Sequence, residues 1–250
     1  MSGVMFEAFE YAVGEQRHVG SLIRHAAAAP KAAVVLLPDW RGQTPLARDH
    51  ARHLAGLGCA VVVADMYGEG FSPDDPAQVK LIVARLLADR KRNVEALSAC
   101  MRRLREDVPA GTPVVCVGYS AGGMIALDLG RSGEDVAGIV LCSALLKTAG
   151  EGMDTKIHAP VLILQGTQDE VSPLETVNAV VAEMDAAGND VRVCLYGQTH
   201  HAFDNPEAGT DPGARLVYSP VSAERARRAI AGFIAEVGRR PGASTWDGLA

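Results

Sequence analysis

Uninterrupted apolar runs recur along the chain, and each is separated from the next by a longer segment of mixed polarity. The runs cover residues 32–37, 59–64, 113–117, 137–142 and 160–164, and residues 191–196 form a further candidate. A strand that is apolar at every position suits a parallel sheet covered on both faces, whereas a half-exposed strand would alternate. Because helical segments fall between the runs, the pattern predicts an α/β fold with a mostly parallel sheet.

The first and last predicted elements differ from the uniformly apolar runs between them. Residues 6–25 alternate well enough to predict two short strands joined near Gly14 and Glu15. In the last predicted helix apolar residues recur at three- and four-residue spacing, at Ala226, Ile230, Phe233, Ile234 and Val237. Gly238 supplies a stop signal. The sheet is therefore expected to begin with a hairpin, and the last element to be an amphipathic helix.

Capping residues mark three helix starts. Thr44 and Asp75 each precede a proline, which suits an N-cap followed by the first helical position. Ser172 also precedes a proline, and Glu175 stands three residues later, as in a capping box. We therefore expect helices to begin at these three places.

Length and composition favour one folded unit. The chain has 250 residues, of which 48% are hydrophobic, so it can bury one substantial core. We expect a single domain over residues 1–239 and an irregular tail over residues 240–250. The first residues lack the features of a secretory signal, and no apolar run approaches the roughly 20 residues needed to cross a bilayer. The expected location is cytoplasmic, with no membrane partner.

The net charge and the positions of the basic residues, cysteines and histidines argue against several kinds of partner and site. The formal net charge of −6 argues against a nucleic-acid partner, which would call for a basic patch. The basic residues at 90–92 and 102–103 have helical spacing, which is typical of a solvated helix face. The five cysteines are odd in number and lie mostly in or beside apolar runs, so no disulfide framework is expected. His50 and His53 favour a surface or core role over a metal site.

A candidate nucleophile lies between a predicted buried strand and a predicted helix. There Gly118-Tyr119-Ser120-Ala121-Gly122 matches the G-x-S-x-G pattern of a sharp strand-to-helix turn. Such a turn needs small flanking residues because its backbone is strained and the neighbouring chain passes close by. The turn would place Ser120 at the start of the helix, with the amide of Ala121 directed toward a developing oxyanion.

A serine nucleophile needs a base and a third group that orients the base, and the chain offers candidates in the expected order. Asp169 follows the strand that ends near residue 164, and Glu170 is a rival acid. His201 follows the last predicted strand, where the base of such a fold belongs, but His200 stands beside it. The residues alone leave the choice between the two histidines open.

The chain resembles the dienelactone hydrolase family, a branch of the α/β-hydrolases without a large cap domain. The resemblance rests on residues 38–42, 64–68, 118–123, 166–169 and 201–203, and extends over nearly the whole chain. It implies an α/β-hydrolase fold with a central sheet of about eight strands. In that family the base precedes a small residue and a phenylalanine, which implies His201 as base and Asp169 as acid. The match also implies that the backbone amide of Trp40 is the second oxyanion donor, beside Ala121.

Three departures from the family change the expected chemistry. Members that act on dienelactone use cysteine as nucleophile, whereas this chain has Ser120. A family glutamate corresponds to the shorter Asp39, and two arginines that bind the substrate carboxylate correspond to Glu69 and Asn205. Since Glu69 would repel an anion and charge-assisted pairs to a carboxylate are strong, dienelactone is expected to be a poor substrate. A small neutral ester, lactone or thioester is expected instead.

The expected enzyme is a serine hydrolase that forms an acyl-enzyme on Ser120 and needs neither a metal nor an organic cofactor. Residues 147–158 are too few for a cap, so access to the site should be open. Trp40, Met66, Tyr67 and Phe203 are candidates for the pocket wall, with ordinary core packing as the alternative. Acyl transfer, lyase or cyclase chemistry, and non-catalytic binding are the other functions considered. The oligomeric state is not determined by the sequence.

Overall fold

The structure, a computed structural model, describes residues 3–25 and 29–239. The predicted tail at residues 240–250 lies outside the described residues. Eight strands are described: β1 (Val4–Val13), β2 (Gln16–His25), β3 (Ala32–Leu37), β4 (Cys59–Val63), β5 (Val114–Tyr119), β6 (Gly138–Cys142), β7 (Val161–Gly166) and β8 (Val191–Tyr196). The described α-helices are α1 (Pro45–Gly56), α2 (Val79–Ala88), α3 (Arg90–Asp107), α4 (Ala121–Arg131), α5 (Leu174–Ala186) and α6 (Pro220–Val237).

The eight strands form a single sheet in the order β1-β2-β4-β3-β5-β6-β7-β8. β1 pairs with β2, and β2 with β4, in antiparallel fashion, and the other neighbours are parallel. The predicted hairpin is present, and every apolar run is a strand of the sheet. The predicted α/β-hydrolase architecture is confirmed. In the described part of the chain no large cap is inserted, and residues 143–160 connect β6 to β7 without a helix or strand.

The core lies on both faces of the sheet, which explains why its central strands are apolar throughout. Along β3, Val34 and Leu36 belong to an apolar cluster shared with α1 and α6. Val35 and Leu37 belong to the opposite cluster, which includes residues of α2, α3, α4 and α5. All six residues of β3 are buried. Because helices cover both faces, no position of such a strand faces water.

The three predicted helix starts have different outcomes. Thr44 is the N-cap of α1, and its hydroxyl accepts a hydrogen bond from the amide of Ala47 at 3.3 Å. Asp75 instead precedes a short 3₁₀ helix at Pro76–Gln78, and α2 begins only after it. The capping role predicted for Ser172 is wrong. Its hydroxyl accepts from the amide of Leu146 at 2.9 Å, because that buried amide in the β6–β7 connection needs a partner.

The predicted solvated face of basic residues is wrong for Arg90. Its guanidinium donates to both carboxylate oxygens of the buried Asp128, at 2.5 and 2.6 Å, and thereby joins α3 to α4. Asp128 also accepts from Arg131, whose guanidinium reaches Glu183 on α5. Periodicity placed Arg90 correctly on a helix, but only the packing of α3 against α4 supplies its buried partner.

Within residues 3–25 and 29–239, no helix is long and apolar enough to cross a bilayer. The cysteines of this part of the chain are all free, and Cys194 is the one that is not fully buried.

Candidate active site

The candidate nucleophile lies at the tight turn between β5 and α4. Ser120 has φ 48° and ψ −116°, a strained conformation for a residue other than glycine. A Cβ atom on Gly118 would lie 2.6 Å from the carbonyl oxygen of Gly122. A Cβ atom on Gly122 would overlap the carbonyl oxygen of Leu37 in β3. The two glycines are therefore required by close backbone approach, which is the reason predicted from the sequence.

Ser120, His201 and Asp169 form one continuous line of hydrogen bonds. The Ser120 Oγ atom lies 2.9 Å from His201 Nε2, and His201 Nδ1 lies 2.7 Å from Asp169 Oδ2. His201 is 4% exposed and Asp169 3% exposed, whereas Ser120 remains partly accessible. Since a carboxylate can only accept, Nδ1 carries the ring proton and Nε2 is left to accept from Ser120. The arrangement can take a proton from the serine hydroxyl.

Asp169 is held ionised by four hydrogen bonds. Its Oδ1 atom accepts from the amides of Val171 at 2.8 Å and Ser172 at 2.9 Å. Its Oδ2 atom accepts from His201 and from the side-chain amide of Gln165, each at 2.7 Å. Burial alone would raise the pKa of Asp169, but its hydrogen bonds and the electrostatic attraction of the His201 ring outweigh burial, so the pKa is lowered. The carboxylate is charged where it faces the imidazole.

The loops after β7 and β8 bring the candidate acid and the candidate base together. The amide of Gln168 donates to the carbonyl of Thr199 at 2.9 Å, and a Cβ atom on Gly166 would overlap that same carbonyl. The carbonyl of His201 accepts from Val217 at 3.1 Å. The structure thus brings His201 into the line of hydrogen bonds, while the adjacent His200 is partly exposed and lies outside that line.

The loop after β3 contains Trp40 and lies beside the tight turn that carries Ser120. The side chains of Asp39 and Tyr67 restrain this loop. The Asp39 carboxylate accepts from the amide of Arg41 at 2.8 Å. The Tyr67 hydroxyl donates to the carbonyl of Trp40 at 2.5 Å. Ala121 is the first residue of α4, and the first amides of a helix have no acceptor within the helix. The backbone amides predicted as oxyanion donors therefore belong to two restrained segments.

Asp39 contacts Arg41 in the described structure. The two side chains form an ion pair at 3.1 Å, and Arg41 also reaches Glu207 at 2.7 Å. No hydrogen bond joins Asp39 to Ser120 among residues 3–25 and 29–239. The ion pairs link the loop after β3 to the short 3₁₀ helix at Pro206–Ala208, which follows His201.

Glu69 and Asn205, which the sequence resemblance aligns with two family arginines, have local contacts of their own. Glu69 is exposed and lies 3.5 Å from Arg17 on β2. Asn205 caps the 3₁₀ helix, because its side-chain oxygen accepts from the amide of Glu207 at 3.0 Å. Neither side chain carries a positive charge, so neither can pair with a substrate carboxylate.

The other predicted pocket residues divide into two groups. Phe203 is fully buried and packs edge-on against Tyr196, with ring centroids 5.5 Å apart. Its predicted place on the pocket wall is therefore wrong, since a side chain without exposed surface belongs to the core. Met66, Tyr67 and Trp40 are partly buried and pack against the apolar cluster on the other face of the sheet, which includes residues of α2, α3, α4 and α5.

Asp65 is a buried residue whose role was not predicted. Its carboxylate accepts from four backbone amides, those of Val19, Tyr67, Gly68 and Gly70, at 2.8 to 3.0 Å. These bonds fix the loop after β4 that carries Tyr67. A charged residue directly after a buried strand was the available signal, but its partners come from β2 as well as from its own loop.

Gln165 and Ser143 also contact the site and were not predicted. Gln165 donates to Asp169, and the Ser143 hydroxyl lies 3.3 Å from His201 Nδ1. Gln165 is a polar residue at the end of the otherwise apolar strand β7, four positions before Asp169, and that placement is the signal that could have identified it. No local pattern points to Ser143, which is 58 positions from His201 in the chain.

The sheet order and the tight turn after β5 define the protein as an α/β-hydrolase. The model of the dienelactone hydrolase family matches residues 19–238, and the chain belongs to this family. The resemblance inferred from the sequence is thereby confirmed, together with the expectation of a carboxylic ester hydrolase.

Several solved structures are similar to the chain over nearly its full length. The protein named m3DLH is 30% identical, with a TM-score of 0.87 over 94% of this chain and 98% of the other. A dienelactone hydrolase-like promiscuous phosphotriesterase from metagenomic libraries is 26% identical, with a TM-score of 0.86 over 94% and 98% of the two chains. A dienelactone hydrolase from Anabaena variabilis shares the fold at 17% identity, with a TM-score of 0.68 over 93% and 98%. A comparison with curated proteins gave no match.

Proposed function

We propose that the protein is a serine hydrolase that cleaves a small neutral ester, lactone or thioester through an acyl-enzyme on Ser120. The observation that carries the proposal is the line from Ser120 Oγ to His201 Nε2 at 2.9 Å and from His201 Nδ1 to Asp169 Oδ2 at 2.7 Å. A bare hydroxyl is a poor nucleophile, and a base that is itself oriented by an acid is the usual means of activating it. Family membership supports the same class of reaction.

The reaction proceeds in two halves. His201 removes the proton of Ser120 as the oxygen attacks the acyl carbon, and Asp169 stabilises the imidazolium that forms. His201 then donates its proton to the leaving alcohol or thiol as the tetrahedral intermediate collapses. In the second half a water molecule attacks the acyl-enzyme with His201 as base, and the acid product leaves with Ser120 reprotonated.

The oxyanion of each tetrahedral intermediate is held by the backbone amides of Trp40 and Ala121. Two features support this assignment. Ala121 opens α4, where the helix dipole favours negative charge, and Trp40 belongs to a loop fixed by Asp39 and Tyr67. Losing one such donor typically costs about 3–4 kcal/mol of transition-state stabilisation.

The charges near the site support a neutral substrate. The family resemblance implies that Glu69 and Asn205 take the places of two carboxylate-binding arginines, and Arg41 is already paired with Asp39 and Glu207. A substrate carboxylate would therefore find no unpaired cation among these residues. We expect a low kcat/KM on dienelactone relative to an uncharged aryl ester of similar size. A high catalytic efficiency on dienelactone would contradict the proposed substrate class while leaving the serine mechanism intact.

Labelling with a fluorophosphonate probe, followed by peptide mapping, tests the nucleophile and the base together. The wild type should be labelled at Ser120, and His201→Ala should abolish labelling. His200→Ala is the matched control, because it removes the neighbouring histidine and should label at the wild-type rate. No labelling of a folded wild type, or loss of labelling in His200→Ala alone, would refute the assignment.

Product analysis separates hydrolysis from the related reactions. Hydrolysis consumes water and releases a free acid, whereas an acyltransferase would pass the acyl group to an added alcohol or amine. A lyase or cyclase would form its product without a covalent intermediate on Ser120. A neutral phosphotriester belongs in the same screen, since one similar protein is a promiscuous phosphotriesterase. Turnover of a phosphotriester would indicate that the same serine attacks phosphorus as well as an acyl carbon.

A further inference from the structure

We propose that Ser143 is a positioning residue of the active site, whose hydroxyl holds the imidazole of His201 and the backbone that follows it. The inference rests on the proposed function, because it assigns Ser143 a role in presenting the base. Ser143 follows β6 directly, is 1% exposed and lies outside the predicted triad. Two contacts of its Oγ atom carry the argument.

The first contact is with the ring of His201. Ser143 Oγ lies 3.3 Å from Nδ1, the same nitrogen that lies 2.7 Å from the Asp169 carboxylate. Since Nδ1 carries the proton, the serine oxygen accepts a second and longer branch of the same hydrogen bond. A polar acceptor beside Nδ1 favours the ring orientation that leaves Nε2 facing Ser120. It also favours the imidazolium formed when Ser120 loses its proton.

The second contact fixes the chain immediately after the histidine. Ser143 Oγ accepts from the amide of Ala202 at 3.0 Å. Ala202 has φ 57°, a left-handed conformation that is uncommon for alanine and needs support from its surroundings. One hydroxyl thus contacts both the ring of His201 and the next peptide group. Its removal would free the ring and its backbone together.

The backbone of Ser143 is itself strained, which argues against a purely structural reason for a serine at this position. Its φ is 45°, a region where glycine would avoid the steric cost of a side chain. The position is fixed on both sides, because its amide donates to Leu164 at 2.9 Å and the amide of Leu145 donates to the carbonyl of Ser120 at 2.8 Å. Strain of this kind clusters at functional sites, where the surrounding structure maintains it.

Two substitutions separate the hydroxyl from the strain. Ser143→Ala removes the hydroxyl and keeps the strained side chain, whereas Ser143→Gly removes both. The matched control is Ser222→Ala, which removes another buried hydroxyl, bonded to Thr199 at 2.8 Å, without touching the ring of His201. For each variant the melting temperature, kcat and KM on p-nitrophenyl acetate, and the rate of fluorophosphonate labelling at Ser120 are measured.

Both Ser143 variants should lose about ten- to a hundredfold in kcat and in labelling rate, the range for one hydrogen bond to a charged group. KM should stay within about twofold, because the hydroxyl acts on the base and not on the bound substrate. The melting temperature of Ser143→Gly should be no lower than that of Ser143→Ala, and its kcat should be reduced to the same extent. Ser222→Ala should keep wild-type kcat.

Other results would overturn the inference in distinguishable ways. Wild-type kcat in Ser143→Gly would show that backbone strain, not the hydroxyl, limits Ser143→Ala. An equal loss of kcat in Ser222→Ala would show that removing any buried hydroxyl has the effect seen in the Ser143 variants. In both cases the wild type would still be labelled at Ser120, so the proposed function would survive. A wild type that is neither labelled nor active would refute the proposed function and this inference together.

Discussion

Replacing Asp169 with asparagine tests the geometry of the base most directly, because the change keeps the size of the side chain and removes its charge. The oxygen of the amide can still accept from the amides of Val171 and Ser172, as Oδ1 does now. The new NH₂ group would then replace Oδ2 and point its hydrogens at His201 Nδ1. To accept from it, the ring must move its proton to Nε2, where that proton faces Ser120 and blocks proton transfer.

The expected loss follows from the tautomer. An Asp→Asn change in a triad that leaves its geometry intact lowers kcat by about 10⁴-fold, equivalent to roughly 5 kcal/mol. In this protein Gln165 also donates to Oδ2 at 2.7 Å, and the new NH₂ group could not accept that hydrogen bond either. We therefore expect a loss of at least that order, with KM changed much less than kcat.

The assay is steady-state hydrolysis of an uncharged aryl ester, with folding checked by circular dichroism. Glu170→Gln is the matched control, since Glu170 is the adjacent carboxylate in the chain, is exposed and was the rival acid in the sequence. It should retain wild-type activity. Less than a tenfold loss in folded Asp169→Asn, or a large loss in Glu170→Gln, would refute the reasoning about the acid.

The same variant should change how stability depends on pH. The pKa of Asp169 in the folded state is lowered below the ordinary value of 3.8. Its ionised form therefore stabilises the fold fully at pH values above 3.8, and this contribution is lost as the pH falls through the lower folded-state pKa. Denaturant unfolding should show that the difference in stability between wild type and Asp169→Asn shrinks below that pH. A difference that grows with acidity would contradict the assigned direction.

Two further predictions concern the loops around the site. Gly166→Ala places a methyl group against the carbonyl oxygen of Thr199 and should destabilise the protein by about 1–3 kcal/mol, measured by urea unfolding. Gly197→Ala, at a position with open space, should change stability by far less, and equal effects would contradict the close approach. Tyr67→Phe removes the hydrogen bond to the carbonyl of Trp40 and should lower kcat about fivefold, the equivalent of roughly 1 kcal/mol. An unchanged kcat would show that this bond does not position the oxyanion loop.

Local patterns determined the strands, the tight turn that carries Ser120, and the general place of the candidate acid and base. The central strands are apolar throughout because helices cover both faces of the sheet. A run of consecutive apolar residues therefore indicates a buried strand. Gly118 and Gly122 flank Ser120 because a methyl group at either position would overlap nearby backbone. These features appear as a pattern in neighbouring residues, even though the backbone that excludes a methyl group at Gly122 belongs to β3 and the segment after it. They could therefore be inferred before the sheet was known.

The partners of individual polar groups were decided only by the tertiary structure. His200 and His201 are adjacent, yet one lies partly exposed and the other is buried between Ser120 and Asp169. Ser172 appeared to be a helix cap but satisfies the amide of Leu146. Ser143 meets His201 only because β6 lies beside β5 and β7 in the sheet. A hydrogen bond between distant segments depends on the direction and distance of two groups, and neither is fixed until the strands are packed in their final order.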